Sequence, residues 1–263
     1  MTNDDLIFFK KWLSDYCRSF YSPDNEDQKN ILLKEHHTAR VCENIIEIAE
    51  RLSLDGHQIM LAEAIALFHD IGRFPQYAQY KTFRDSISVN HGLLGARTLL
   101  KEGILRSLPG NEQELIVEAV KFHNAFSIPK KENAEIIFFI KLIRDADKLD
   151  IWRVFIEYYE SPEENRASAV SLGLPDIPGY SEDVLMCVSD KQIVSLSKIK
   201  TLNDFKLLQL SWLYDLNFAP SFQLFSERDY LSRMMAHLPQ TDGIQRVSRC
   251  LKEFVDRKRK SIK

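Results

Sequence analysis

From Leu61 to Phe68 the chain reads Leu-Ala-Glu-Ala-Ile-Ala-Leu-Phe, and Glu63 is the only polar residue in the run. A helix here is apolar almost all round, and such a helix has to sit inside a core. It leads straight into His69 and Asp70, two groups that are costly to bury unless something pairs with them. Gly72 is expected to stop the helix, and Pro75 opposes its continuation. An imidazole beside a carboxylate at the end of a buried helix is what a metal site needs. A hydrogen-bonded structural His next to a helix-terminal Asp is the plainer alternative. Further ligands elsewhere in the chain would favour the metal.

The 263 residues allow one large domain or a domain with an extension, with a substantial core. Apolar residues at 44% and charged residues at 28% are ordinary for a globular chain. A formal charge of -3 exerts no general pull on nucleic acid or an anionic membrane, so neither is an expected partner. The basic run Arg257-Lys258-Arg259-Lys260 reads as a solvated helix C-terminus. Cys17, Cys42, Cys187 and Cys250 show no paired spacing, which argues against a zinc knuckle or a disulfide framework and fits a reducing compartment. The start Met-Thr-Asn-Asp-Asp lacks the features of a signal peptide, and no apolar run approaches the roughly 20 residues that cross a bilayer. The expected location is the cytoplasm.

Apolar periodicity predicts helices over residues 4–20, 34–52, 90–102, 112–124 and 133–157, besides the one ending at the His-Asp pair. Residues 75–88, aromatic and polar, read as a loop. Gly173, Pro175, Pro178 and Gly179 make residues 161–181 the most loop-like region. Further helical patterns follow over 182–197, 203–217, 221–237 and 241–258, and no strand pattern is present. The expected fold is all-α, with a helical core over residues 1–160. The helical C-terminal part, 161–263, belongs either to the same domain or to a second one.

Besides the His69-Asp70 pair, four further helices of the core each carry a potential ligand in line with their apolar stripe. His37 precedes Val41 by one turn and shares the buried face, whereas His36 points outward. His91 is followed at helical spacing by Leu94, Gly95 and Thr98; Gly95 weakens a helix but is tolerable where another element must approach closely. Ile116, Ala119 and Val120 lead to His123, and Ile136, Ile140 and Ile143 lead to Asp147. One such coincidence is weak, but five segments in register are hard to dismiss.

The order His37, His69-Asp70, His91, His123, Asp147 resembles the HD-domain superfamily of metal-dependent phosphohydrolases. The local contexts His37-Thr38-Ala39-Arg40-Val41, Phe68-His69-Asp70-Ile71-Gly72 and Asp145-Ala146-Asp147-Lys148-Leu149-Asp150 match as well. The resemblance covers roughly residues 30–155 and implies an HD-like helical bundle with a helical C-terminal extension. It implies that His37, His69, Asp70 and Asp147 hold a divalent metal. In a bimetallic branch Asp70 would bridge two ions, with His91 and His123 completing the second site. In a one-metal branch those histidines would contact phosphate or act as acids. Nitrogen and carboxylate ligands without thiolate suit Mn, Fe, Co, Ni, Zn or Mg.

Such a cation lowers the pKa of water from about 15.7 to about 7 and neutralises phosphoryl charge. Phosphate also needs cations from the protein. Arg73 and Lys148 are the candidates, followed by Lys81 and Arg84. Tyr77, Tyr80 or Phe83 offers a stacking surface for a base, and Asp85 a supporting contact. The expected activity is hydrolysis of a phosphoric monoester or diester in a nucleotide or related small molecule. A di-iron oxygenase on the same fold and a non-catalytic signalling or binding module are the alternatives. Metal identity, ion number and oligomeric state stay open.

Overall fold

The computed structural model describes residues 1–130, 133–162 and 173–260. The described residues form α-helices and short 3-10 turns, with no strand among them, as the periodicity predicts. No described helix is long and apolar enough to cross a membrane. The chain forms two compact units, one running from Met1 to Asp150 and the other from Ile151 onward.

In the first unit, α1 (Asn3–Arg18) opens with a capping box in which the Thr2 hydroxyl accepts from the Asp5 amide and the Asp5 carboxylate accepts from the Thr2 amide. Helix α2 (Asn25–Arg51) starts well before the expected Lys34, because Asp24 caps it by accepting from the Asp27 amide. Helix α3 (Gly56–Phe68) carries the apolar run, and every residue from Leu61 to Phe68 is buried. Burial of Leu61, Ile65 and Phe68 stabilises the unit by about 1.5–3 kcal/mol each. Glu63, the polar exception, is paired with Lys10 of α1 at 2.6 Å.

Two expectations around this helix need correction. Helix α3 ends at Phe68, ahead of Gly72, and His69 is its C-cap. Residues beyond it are not all loop: α4 (Arg73–Tyr80) follows, with Gly72 as N-cap. Pro75 is tolerated because it lies in the first turn, where backbone amides have no intrahelical acceptor. Lys81 ends α4 in the left-handed region (φ 54°), and a 3-10 turn at Asp85–Ile87 leads to α5 (His91–Glu102). Helix α6 (Gly110–Phe122) and the start of α7 (Ala134–Glu160) complete the unit. Helix α3 packs against α1, α2 and α6, while α4 contacts both α2 and α5.

The second unit takes the last residues of α7, from Ile151, together with α8 (Glu182–Ser189), α9 (Leu202–Ser211), α10 (Ala219–Glu227), α11 (Tyr230–Ala236) and α12 (Asp242–Lys260). Helix α8 is shorter than the expected 182–197, and the expected 221–237 helix is two helices parted at Asp229, whose φ is 51°. The 203–217 helix passes after Ser211 into a 3-10 turn, Trp212–Asp215. Of the loop-like region, residues 163–172 lie outside the described residues, and 173–181 have no regular structure. Trp152 anchors the core: its ring meets Phe225 edge-on at 4.6 Å and its indole nitrogen donates to the Gln209 carbonyl at 3.0 Å.

Candidate metal centre

Two helices of the first unit end the same way. Phe68-His69 closes α3 and Phe122-His123 closes α6, each with the His as C-cap. A helix C-terminus leaves carbonyls without partners. His69 Nδ1 donates to the Ala66 carbonyl and His123 Nδ1 to the Val120 carbonyl, both at 2.7 Å. The other two imidazoles are held by carboxylates. His37 Nδ1 donates to Asp150 Oδ2 at 2.7 Å, and His91 Nδ1 donates to Asp85 Oδ2 at 2.7 Å. All four Nδ1 atoms therefore face acceptors, which assigns a proton to Nδ1 and leaves each Nε2, in the neutral ring, as the atom with a lone pair.

Those four Nε2 atoms converge. His37 and His69 approach to 3.3 Å, and His91 and His123 to 3.0 Å. Asp70 lies between the two pairs. Its Oδ2 is 3.6 Å from His37 Nε2 and 3.7 Å from His69 Nε2, while its Oδ1 is 3.4 Å from His91 Nε2 and 3.8 Å from His123 Nε2. Asp147 Oδ1 closes the first group, 3.0 Å from His37 Nε2 and 3.8 Å from His69 Nε2. The six ligands expected from the sequence thus meet at one place, and two groups of them, His37-His69-Asp70 and Asp70-His91-His123, can each hold a metal ion. Imidazole nitrogens and carboxylate oxygens this close fit a cation of the first transition row or Mg.

The electrostatics follow from burial and charge. Burial pushes His69, His91 and His123 below the ordinary imidazole value; Arg73 adds to this at His91, and the neighbouring imidazoles at His123. Burial and Lys34 act the same way on His37, yet Asp147 and Asp150 outweigh them and hold it above that value. Burial opposes ionisation of Asp70, but Lys34, His69, Arg73 and His91 keep it well below the usual carboxylate range. Asp147 is also lowered: His37 and His69 prevail over its burial.

Arg73 is fixed beside this group. Its Nη1 donates to Gln76 at 2.8 Å, to the Phe83 carbonyl at 2.6 Å and to Asp85 at 3.0 Å, and its Nε lies 3.4 Å from Asp70 Oδ1. Asp85 also accepts from Gln76 and Asn124, both at 2.9 Å, so it orients His91 within a network. Lys148 donates to the Arg144 carbonyl of its own helix at 3.3 Å. Lys81 pairs with Asp27, Arg84 and Tyr80 are exposed, and Tyr77 bonds Asn30 and Asp27 at 2.9 and 3.2 Å. The Phe83 and Tyr77 rings are tilted to one another with centroids 5.0 Å apart.

Sequence reasoning gave no role to Asp150, Arg40, Lys34, Gln76 or Asn124. Asp150 follows Asp147 by one helical turn and Arg40 follows His37 by one turn, and Arg40 donates to Asp150 at 2.6 Å. That shared spacing was the available signal. No such signal exists for Asn124, nor for the bonds of Gln76 to Asp85, Ser88 and Val89, whose partners come from different segments.

Comparison with curated proteins and with solved structures gives no significant match. The family model of the HD domain matches residues 35–152, a span that contains all six candidate ligands. Over that span the chain is similar to the HD domain.

Proposed function

We propose that this protein is a metal-dependent phosphoric ester hydrolase acting on a small phosphorylated molecule of the nucleotide class. The observation that carries the reading is the convergence of four Nε2 lone pairs on the two oxygens of Asp70. A divalent cation bound there supplies Lewis acidity, activating water at neutral pH and screening phosphoryl charge. His37, His69, Asp70 and Asp147 would hold one ion; Asp70, His91 and His123 would hold a second.

The remaining residues orient and bind. Asp150 and Asp85 keep the His37 and His91 rings in the tautomer that presents Nε2. Arg73, locked by Asp85, Gln76 and the Phe83 carbonyl, offers a guanidinium beside Asp70 for phosphoryl oxygens. Lys148, next to Asp147, adds a point charge. A cytoplasmic location accords with four cysteines that are all unpaired.

The test is a panel of phosphorylated compounds, from p-nitrophenyl esters to nucleotides and cyclic dinucleotides, assayed with Mn, Co, Ni, Fe and Mg. Metal-dependent phosphate release, lost in His69→Ala, is expected. Uptake of metal with O₂ consumption and no phosphate release would overturn the reading.

A further inference from the structure

Lys34 is a cation at this centre that the ligand set does not use. It stands on α2 one turn before His37 and places its ammonium 2.8 Å from Asp70 Oδ2, the carboxylate oxygen that also faces His37 and His69. Its backbone is braced by the Thr38 hydroxyl, which donates to the Lys34 carbonyl at 3.0 Å. The ammonium lies 5.3 Å from the centroid of the Phe83 ring, and the Arg73 guanidinium lies 5.8 Å from the same centroid. The Lys34 side chain retains 16% exposure, so the charge is close to the ligands and still reachable from outside.

A buried carboxylate with a single lysine partner would be an ordinary ion pair. Asp70 differs because, among the described residues, it belongs to both groups able to hold a metal. The Lys34 ammonium and a metal ion therefore seek the same oxygen. An ammonium is a compact charge with three donors on a flexible stem, and it can turn from a carboxylate oxygen to a phosphoryl oxygen without moving its backbone.

We propose that Lys34 is a substrate-binding residue: it competes with the cation for Asp70 Oδ2 and, where the cation holds that oxygen, receives a non-bridging oxygen of the phosphoryl group. The proposal rests on the phosphohydrolase reading above. Its two halves have opposite signs in one variant. Lys34→Met removes a competitor and a like charge, so metal should bind more tightly. The same change removes a phosphate partner, so phosphate should bind more weakly. A lysine that merely braced Asp70 would give the reverse for metal, because its loss would leave the carboxylate less well held.

The experiment titrates the full chain with Mn²⁺ by calorimetry, then titrates the Mn-loaded protein with inorganic phosphate. Lys34→Met should bind Mn²⁺ about threefold or more tightly, from loss of like-charge repulsion. It should bind phosphate about tenfold more weakly, the order expected for losing one charge-assisted hydrogen bond. Lys34→Arg should keep phosphate affinity. Lys34→Gln serves the same comparison if Lys34→Met does not fold, as judged by circular dichroism. Unchanged or weaker Mn²⁺ binding, or unchanged phosphate binding, would overturn the role of Lys34 while the wild type still binds both. A wild type that takes up no Mn²⁺ would remove the phosphohydrolase reading and this proposal with it.

Discussion

Gly72 and Gly95 meet backbone to backbone. A methyl group on Gly72 would lie 2.7 Å from the Gly95 amide nitrogen and 2.2 Å from the His91 carbonyl oxygen. The turn that follows the His-Asp pair is thereby pressed against the helix that carries His91. Gly72 has ordinary right-handed helical angles (φ -69°, ψ -17°), so alanine would not be strained in conformation. The gain from replacing glycine is about 0.5–1 kcal/mol. The collision is with backbone and costs about 1–3 kcal/mol or more, so it wins. Gly72→Ala should lower the melting temperature and reduce metal retained through His91; a thermal melt with metal analysis checks both.

Asp70 should matter more than any other ligand, because its two oxygens serve both groups. Asp70→Ala is expected to abolish metal binding and hydrolysis together. His91→Ala should halve the metal content if two ions bind, and leave it unchanged if one does. Elemental analysis of the purified and reconstituted variants decides between the cases.

Asp150 belongs to neither group able to hold a metal, yet it fixes the His37 ring and is itself clamped by Arg40 Nε at 2.6 Å. Asp150→Asn should preserve the fold and weaken metal affinity by about 10–100-fold, the usual effect of removing a support behind a ligand. Calorimetric titration measures it. A variant with wild-type affinity would show that His37 needs no such support.

Metal uptake should release protons. Asp147 and Asp150 hold His37 above the ordinary imidazole value, so near neutral pH part of the population must lose a proton before Nε2 can bind. Affinity should therefore fall as pH falls. The apparent binding enthalpy should vary with the ionisation enthalpy of the buffer.

In the second unit, Asp204 accepts from the Ser181 amide and hydroxyl at 2.6 and 2.9 Å and from the Lys200 and Thr201 amides at 2.9 and 3.1 Å. Its burial opposes ionisation, but these donors hold it below the ordinary carboxylate value. A lowered carboxylate contributes stability that is present above its unfolded value of about 3.9 and is lost as pH falls through the lower folded value. Asp204→Ala should cost about 3 kcal/mol at neutral pH. It should also flatten the acid limb of the stability profile followed by chemical denaturation.

The clustering of the candidate ligands was legible because each sits on or at the end of the buried stripe of its own helix, where periodicity and a polar exception coincide: His37 before Val41, His123 after Val120, Asp147 after Ile143. The helix after Gly72 was not, since Pro75 reads as a stop unless the chain is known to restart at Arg73. The start of α2 was missed for a related reason: residues before Lys34 are held by a cap at Asp24, and a cap leaves no apolar period. Lys34 itself escaped notice because a lysine on a half-buried face is ordinary in sequence. Its significance comes from Asp70, far along the chain.

The four ring anchors differ in kind. His69 and His123 lean on main-chain carbonyls of their own helices, which no side-chain replacement can delete, whereas His37 and His91 lean on the replaceable carboxylates of Asp150 and Asp85. Each half of the centre thus pairs one imidazole whose basicity is set by helix geometry with one whose basicity a single codon change can retune. Substitutions at residues 85 and 150 would retune the His91 and His37 rings while the His69 and His123 anchors stay in place.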